Sequence, residues 1–104
     1  MRVLGLSSGT SHDAIDVALV DFRLDGDVLV GELCHADHVP YPDDLRAQIL
    51  AALPPHATDL GAVCRLDTGI GQAFATAASR AVRAAGPVDV VCSHGQTLYH
   101  WTED

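Results

Sequence analysis

Basic residues are scarce in this sequence, and their scarcity excludes several kinds of partner. Lys and Arg number 6 against 14 Asp and Glu, so the formal net charge is −8 with the histidines neutral. Nucleic acids and anionic membrane surfaces attract clustered basic side chains, so we expect neither as a partner. No stretch approaches the roughly 20 apolar residues of a membrane-spanning helix. The apolar run at the N-terminus is also too short for a signal peptide, and we therefore expect a cytoplasmic protein.

Cysteines and aromatic residues are also few. The three cysteines form no C-x-x-C pair, since they lie at Cys34, Cys64 and Cys92. Neither a zinc ribbon nor a redox motif is therefore indicated. Each lies in an apolar context, which predicts buried free thiols. Because only 5% of the 104 residues are aromatic while 48% are hydrophobic, Val, Leu, Ile and Ala must form the core of at most one small domain.

The first forty residues predict three antiparallel strands. Apolar runs at 3–8 and 15–22 are joined by a linker too short for a crossover, which predicts a hairpin. Asp25-Gly26 lies between two apolar runs and indicates a second hairpin turn. A third strand is then expected over 28–39, with a bulge at Gly31, where the alternation is imperfect.

The rest of the chain predicts two helices and a final strand. Pro42 followed by two aspartates is typical of a helix start, and the Pro-Pro pair at 54–55 ends that helix. A second helix is predicted after Asp59, because apolar residues recur there at spacings of three and four. This apolar stripe continues through residues 67–71, so a helix is favoured over a phosphate loop in that stretch. Residues 88–93 are typical of a buried strand added in parallel. The predicted fold is α/β, in the order β-β-β-α-α-β, with a mixed sheet.

The turn between the first two strands is the first candidate site. Gly9 permits a backbone conformation that a side chain would disfavour. Thr10 and Ser11 offer N–H groups and hydroxyls, which suit a phosphate, while Asp13 suits Mg²⁺ through water. An ordinary polar hairpin turn uses the same residue types. The residues alone therefore leave both interpretations open.

A second candidate site follows the last strand, where His94, Gly95, Gln96 and Thr97 form a predicted polar loop. In open α/β sheets, ligands bind at the carboxyl ends of the strands. An imidazole, an amide and a hydroxyl offer the mixed donors and acceptors that sugar hydroxyls need. An ordinary polar loop remains the alternative.

Two other groupings of reactive residues are not expected to be sites. In a strand, His35 and Asp37 would share one face while Cys34 and His38 share the other, so the four do not converge on a metal ion. Ser93 and the histidine after it would point apart for the same reason, which disfavours a hydrolase pair.

Two stretches resemble the anhydro-N-acetylmuramic acid kinases. Their N-terminal signature is Gly-x-Met-Ser-Gly-Thr-Ser-x-Asp-Gly-x-Asp, and residues 5–16 read Gly-Leu-Ser-Ser-Gly-Thr-Ser-His-Asp-Ala-Ile-Asp. Their second signature, His-Gly-Gln-Thr followed closely by His, matches residues 94–97 and His100. The resemblance runs from end to end of the chain. It departs at Ser7, at Ala14, which replaces a family glycine, and at His12, which places a titratable group in the turn.

The resemblance implies the actin-like, sugar-kinase (ribonuclease H-like) ATPase fold, in which two lobes enclose a nucleotide cleft. Residues 1–104 would be the N-terminal part of the first lobe, with the second lobe absent. The implied cofactors are ATP and Mg²⁺, with Asp13 reaching the metal through water and no direct metal ligand. The implied nucleotide-binding residues are Gly9, Thr10, Ser11, His12, Asp13, Ala14, Ile15 and Asp16, and the implied sugar-binding residues are His94, Gln96 and Thr97.

The implied reaction cleaves the 1,6-anhydro ring of anhydro-N-acetylmuramic acid with water and phosphorylates O6 from ATP, in peptidoglycan recycling. ATP and the amino sugar would be the partners. The resemblance leaves open whether full-length family members form a homodimer. The family's catalytic Asp would lie beyond Asp104, so we expect the 104-residue chain alone to be inactive. The alternative is a truncated, non-catalytic module of the same fold, used for assembly or ligand binding.

Overall fold

The computed structural model describes residues 1–103; residue 104, the last of the predicted lobe segment, lies outside the described residues. The predicted order of elements is confirmed. They are β1 (Arg2–Ser8), β2 (Ala14–Asp25), β3 (Val28–Pro40), α1 (Asp43–Ala52), α2 (Leu60–Ala85) and β4 (Val90–Gln96). The strands form one sheet in the order β3-β2-β1-β4. The β1–β2 and β2–β3 pairs are antiparallel and the β1–β4 pair is parallel, so the sheet is mixed as predicted.

The core lies on one face of this sheet. Leu4 of β1 pairs with Leu19 of β2, and Leu6 of β1 pairs with Val17 of β2. Because side chains alternate along a strand, these residues share a face. The helices contribute six residues to the same buried cluster, namely Leu45, Ile49, Leu66, Phe74, Ala77 and Ala81. The small alanines let α2 lie close to the sheet, so the scarcity of aromatic residues does not prevent a closed core.

The helices begin and end where the sequence predicts. The Asp59 carboxylate accepts a hydrogen bond from the Ala62 N–H at 2.7 Å, which caps α2. The helix continues through residues 67–71 without a break, so the interpretation of that stretch as helix is confirmed. A Cβ at Gly69 would lie 3.1 Å from Leu45 Cδ1, which indicates that glycine lets α1 approach α2 closely. Neither helix of residues 1–103 has the length and apolar character needed to cross a membrane.

The prediction of a bulge at Gly31 is wrong. Gly31 pairs regularly with Phe22, and the register of β2 and β3 shifts instead beside Leu19 and Val20. A Cβ at Gly31 would lie 2.9 Å from Phe22 Cε1. The glycine therefore makes room for a cross-strand aromatic ring, and the extra residue of β3 lies at Cys34.

The prediction of buried cysteines is also wrong, because Cys34, Cys64 and Cys92 are all exposed. Cys34 lies at the bulge of β3, and Cys64 lies on an exposed position of α2. Cys92 pairs with Gly5, on the sheet face opposite the core. An apolar sequence context cannot distinguish the two faces of a strand when alternating residues on both are small or apolar.

Candidate functional site

The loop between β1 and β2 differs from the prediction in one respect. Its residue with positive φ is His12, at 56°, and not Gly9. The His12 N–H donates to the Gly9 carbonyl oxygen at 3.4 Å and closes the turn. Gly9, Thr10 and Ser11 are exposed at its tip. A Cβ added at Gly9 would meet nothing within 4 Å, so the fold itself does not require glycine there.

Strand β4 extends further than predicted, because His94, Gly95 and Gln96 belong to the strand and not to a loop. The pairing of β1 with β4 shifts register between Leu6 and Ser8. Gly95 lies at this shift with φ +77°, a conformation that glycine adopts without strain and that is typical of a bulge. The bulge places Gln96, and not Gly95, beside Ser8.

The two predicted sites lie against each other. Gln96 Nε2 donates to the Gly9 carbonyl oxygen at 3.2 Å. His12 Nε2 lies 3.1 Å from the Thr97 carbonyl oxygen, so the Nε2–H form of the imidazole donates there. The hairpin loop and the segment after β4, which are more than 80 residues apart in the sequence, thus meet where β1 and β4 both end.

His94 lines two depressions. It shares one of about 350 Å³, beside α2, with Gln96. It also lines a shallow depression of about 390 Å³ together with Gly5, Ser7, Asp16 and Cys92. This depression is on the sheet face opposite the core, whereas the Gln96 side chain contacts Ser8 and Tyr41. The structure therefore places His94 and Asp16 along one depression and brings Gln96 and Thr97 to the loop tip.

Ser8 and Tyr41 belong to this site and were not predicted. Ser8 Oγ lies 2.6 Å from Gln96 Oε1 and 2.8 Å from the Ala14 carbonyl oxygen. The hydroxyl has a single proton, which it donates to one of these two acceptors at a time. The Tyr41 hydroxyl donates to the same Oε1 at 3.1 Å. Burial raises the pKa of Tyr41 above its usual value of 10.0, so the hydroxyl remains a donor at neutral pH. A tyrosine between two prolines carries no sequence signal for such a contact.

Three further predicted residues differ in what they can offer a ligand. Ala14 and Ile15 are 4% and 1% exposed at the start of β2, so their side chains pack in the core. Ala14 is not in the positive-φ region, and alanine therefore fits this position without strain. Asp13 is exposed, and the Ser11 hydroxyl donates to its Oδ1 at 2.6 Å.

The Asp13 carboxylate is better suited to holding a hydrated cation through one of its water ligands than to binding a metal ion directly. The Ser11 hydrogen bond is the main cause of a lowered Asp13 pKa, below 3.8, so this carboxylate is charged at neutral pH. Among residues 1–103 no group of three or more His, Cys, Asp or Glu side chains could hold a metal ion directly. One carboxylate beside two hydroxyls fits a hydrated Mg²⁺ that is held mainly by phosphate oxygens.

Asp16 forms an exposed ion pair with His38, whose Nδ1 lies 2.7 Å from Asp16 Oδ1. The Asp16 hydrogen bond is the main cause of a raised His38 pKa, above 6.5, and the Asp13 and Asp37 charges add to it. The pair therefore stabilises the fold fully below pH 6.5, and this contribution is lost as the pH rises through the higher pKa of the folded state. The carboxylate remains accessible, since both side chains are largely exposed.

The His38 pKa is the measurement that tests this pair. An NMR titration of the His38 Cε1–H should give a pKa above 6.5, and Asp16→Asn should bring it back towards 6.5, because the hydrogen-bond acceptor loses its charge. Asp25→Asn, at the far end of β2, removes an equal charge and should leave the His38 pKa unchanged. Equal His38 pKa values in the unmodified chain and in Asp16→Asn would contradict the assignment.

Comparisons with known proteins agree with the two motifs. The family model described as anhydro-N-acetylmuramic acid kinase matches residues 1–104. Among the similar curated proteins is an anhydro-N-acetylmuramic acid kinase of Streptomyces coelicolor, 55% identical over 106 residues, which cover 100% of this chain and 27% of that protein. A protein of the same name from Rhodococcus erythropolis is 51% identical over 99% of this chain and 26% of its own length. One from Synechococcus elongatus is 43% identical over 96% of this chain and 26% of its own length.

These matches concern the N-terminal part of longer proteins, since the chain spans about a quarter of the length of the curated relatives it matches. The mixed sheet and the order of elements are consistent with a partial sugar-kinase ATPase-like fold. A family model that matches every residue, together with the contacting motifs at the ends of β1 and β4, establishes the family. The chain belongs to the anhydro-N-acetylmuramic acid kinase family.

Proposed function

We propose that this chain supplies the phosphate-binding part of an ATP-dependent sugar kinase. The kinase opens the 1,6-anhydro ring of anhydro-N-acetylmuramic acid with water and transfers the γ-phosphoryl group of ATP to O6, giving N-acetylmuramic acid 6-phosphate. The observation that carries the proposal is the contact between the loop of residues 9–13 and the end of β4. It brings a polar loop suited to phosphate next to a polar segment suited to a sugar.

The ATP phosphates would lie at the loop tip. Thr10 and Ser11 offer hydroxyls there, and both residues are exposed. The nearby Asp13 and Asp16 carboxylates would repel a bare polyphosphate, so a cation between them and the phosphates is required. Bound Mg²⁺ would neutralise phosphate charge, and Asp13 would hold one of its water ligands. Ala14 and Ile15 would contribute through the backbone, since their side chains are buried.

The sugar would lie beside the end of β4. Thr97 is exposed there, next to the loop, and His94 with Asp16 lines the adjoining depression. Gln96 lies between these groups. Water addition at C1 needs a general base, and ring opening must also leave O6 in place to accept the phosphoryl group. We propose that residues outside 1–104 supply that base and the second wall of a closed cleft.

An isotope-labelled activity assay tests this function. The natural gene product that carries residues 1–104 should convert anhydro-N-acetylmuramic acid, ATP and Mg²⁺ into the 6-phosphate, with one ¹⁸O from labelled water at C1 because the C1–O6 bond breaks. Removing Mg²⁺ with a chelator should abolish product formation. The purified 104-residue chain should show no turnover. A folded natural gene product that forms no phosphorylated sugar would contradict the proposal and favour the non-catalytic module.

A further inference from the structure

The carboxamide of Gln96 uses its hydrogen-bonding capacity inside the protein. A carboxamide has two N–H donors and one oxygen with two lone pairs. Nε2 donates to the carbonyl oxygens of Gly9 at 3.2 Å and Thr97 at 3.1 Å. Oε1 lies 2.6 Å from Ser8 Oγ and 3.1 Å from the Tyr41 hydroxyl. Both donors therefore have partners in the chain, while Oε1 accepts from the Tyr41 hydroxyl and shares the single Ser8 proton with the Ala14 carbonyl oxygen.

These partners determine which way the amide points. In the reverse orientation, Oε1 would face two carbonyl oxygens, and neither of them can donate a proton. The acceptor side is anchored in the core, because Ser8 and Tyr41 are each 3% exposed. The donor side reaches the exposed loop tip. Gln96 thus connects the buried side of the sheet to the exposed loop tip.

From this geometry we propose that Gln96 is a positioning residue, which holds the loop of residues 9–13 at a fixed distance from the end of β4. The proposal rests on the proposed function, in which these two segments carry the phosphate and the sugar. A sugar contact through the same amide would take its donors from Gly9 and Thr97 and so break both connections that the amide makes to the loop tip and the end of β4. Contacts to the sugar are therefore assigned to His94 and Thr97.

Two neighbouring features support this role. The bulge at Gly95, with φ +77°, places Gln96 beside Ser8, and a regular strand would place Gly95 there. His12 provides a second connection between the same two segments through the Thr97 carbonyl oxygen at 3.1 Å. Phosphoryl transfer requires the donor and acceptor atoms to be aligned, and a misplacement of about 1 Å can cost about 100-fold in rate. A fixed loop serves that alignment.

Gln96→Glu tests the proposal with a nearly isosteric change. It replaces the two N–H donors by a carboxylate oxygen that faces two carbonyl oxygens, so the loop should be released. Without ligand, hydrogen exchange of the His12 N–H, which donates to the Gly9 carbonyl oxygen within the loop, should become at least tenfold faster while β2 keeps its protection. Gln48→Glu, which makes the same change on an exposed position of α1, should leave exchange in the loop as it is.

Kinetics of the natural gene product separate positioning from sugar binding. Gln96→Glu should lower kcat about 100-fold, by the misalignment argument above, and raise KM for ATP more than KM for the sugar. Gln96→Met removes the hydrogen bonds without adding charge and should also accelerate loop exchange. Tyr41→Phe, which removes one contact to Oε1, should have a smaller effect than either.

The outcomes distinguish the two proposals. Loop exchange that stays unchanged in both Gln96→Glu and Gln96→Met overturns the positioning role. A raised KM for the sugar with unchanged loop exchange also overturns it, since that pattern indicates direct sugar binding. If the unmodified protein shows no kinase activity, the proposed function fails, whereas faster loop exchange in the Gln96 variants still supports Gln96 as the residue that holds the loop.

Discussion

Leu4→Ala is expected to lower the free energy of unfolding by about 3–5 kcal/mol, which is the upper part of the range for truncating a buried leucine. Leu4 is 0% exposed and lies in β1, between β2 and β4. It pairs with Leu19 on one side and with Val91 on the other. Neighbours on both sides leave little freedom to collapse into the cavity, so the loss should exceed the cost of the lost methyl groups alone.

A change of this size is a large part of the stability of a domain of about 100 residues, which is about 5–15 kcal/mol. Urea denaturation followed by circular dichroism measures it as a lower midpoint at unchanged slope. Leu24→Ala is the matched control, because Leu24 is 73% exposed in β2 and should change stability by less than about 0.5 kcal/mol. Equal losses in the two variants would contradict the assignment of the core to one face of the sheet.

The elements of the fold are predictable from local signals. A short linker forces an antiparallel hairpin, and Asp25-Gly26 is confirmed as a turn, with Gly26 at φ +62°. Asp59 caps α2, and its stripe of apolar residues continues through two glycines. Each of these signals lies within a few residues of the structure that it predicts, so one sequence is enough to interpret it.

The details of the site depend on contacts between distant residues, and the sequence could not predict these. Gln96 is 88 positions from Ser8 and 55 positions from Tyr41. The motifs point to the hairpin loop and to residues 94–97, but no pattern in either indicates that they touch. Nor does the sequence indicate that Gln96, and not Gly95, lies beside Ser8, because that follows from the bulge at Gly95.

Gly9 shows how the structure changes the interpretation of a motif residue. The sequence predicts that Gly9 adopts a conformation unsuited to side chains, yet the residue with positive φ is His12. Neither backbone strain nor a steric neighbour explains a glycine at position 9, since a Cβ there would meet nothing within 4 Å. In the proposed function, a glycine at this position would let the ATP phosphates approach the backbone closely.

Gly9→Ala should therefore separate binding from folding. We expect the free energy of unfolding to stay equal or to rise by up to about 1 kcal/mol, because alanine lowers the entropy of the unfolded chain. We expect the Kd for ATP with Mg²⁺ to rise at least tenfold, since the new methyl group would occupy the space where the phosphates approach; an increase of that size corresponds to about 1.4 kcal/mol. Calorimetric titration of the natural gene product measures the Kd, and urea denaturation measures the stability.

Gly71→Ala is the matched control for this experiment. A Cβ at Gly71 would also meet nothing within 4 Å, and the residue lies inside α2, where alanine should stabilise the helix by about 1 kcal/mol. Its Kd for ATP should remain that of the unmodified protein. An unchanged Kd in Gly9→Ala would mean that the loop tip does not face the phosphates. A large loss of stability in Gly9→Ala would mean that the fold, and not a ligand, requires the glycine. The expected combination, with intact folding and weakened ATP binding only at position 9, is the one that a phosphate-binding loop produces.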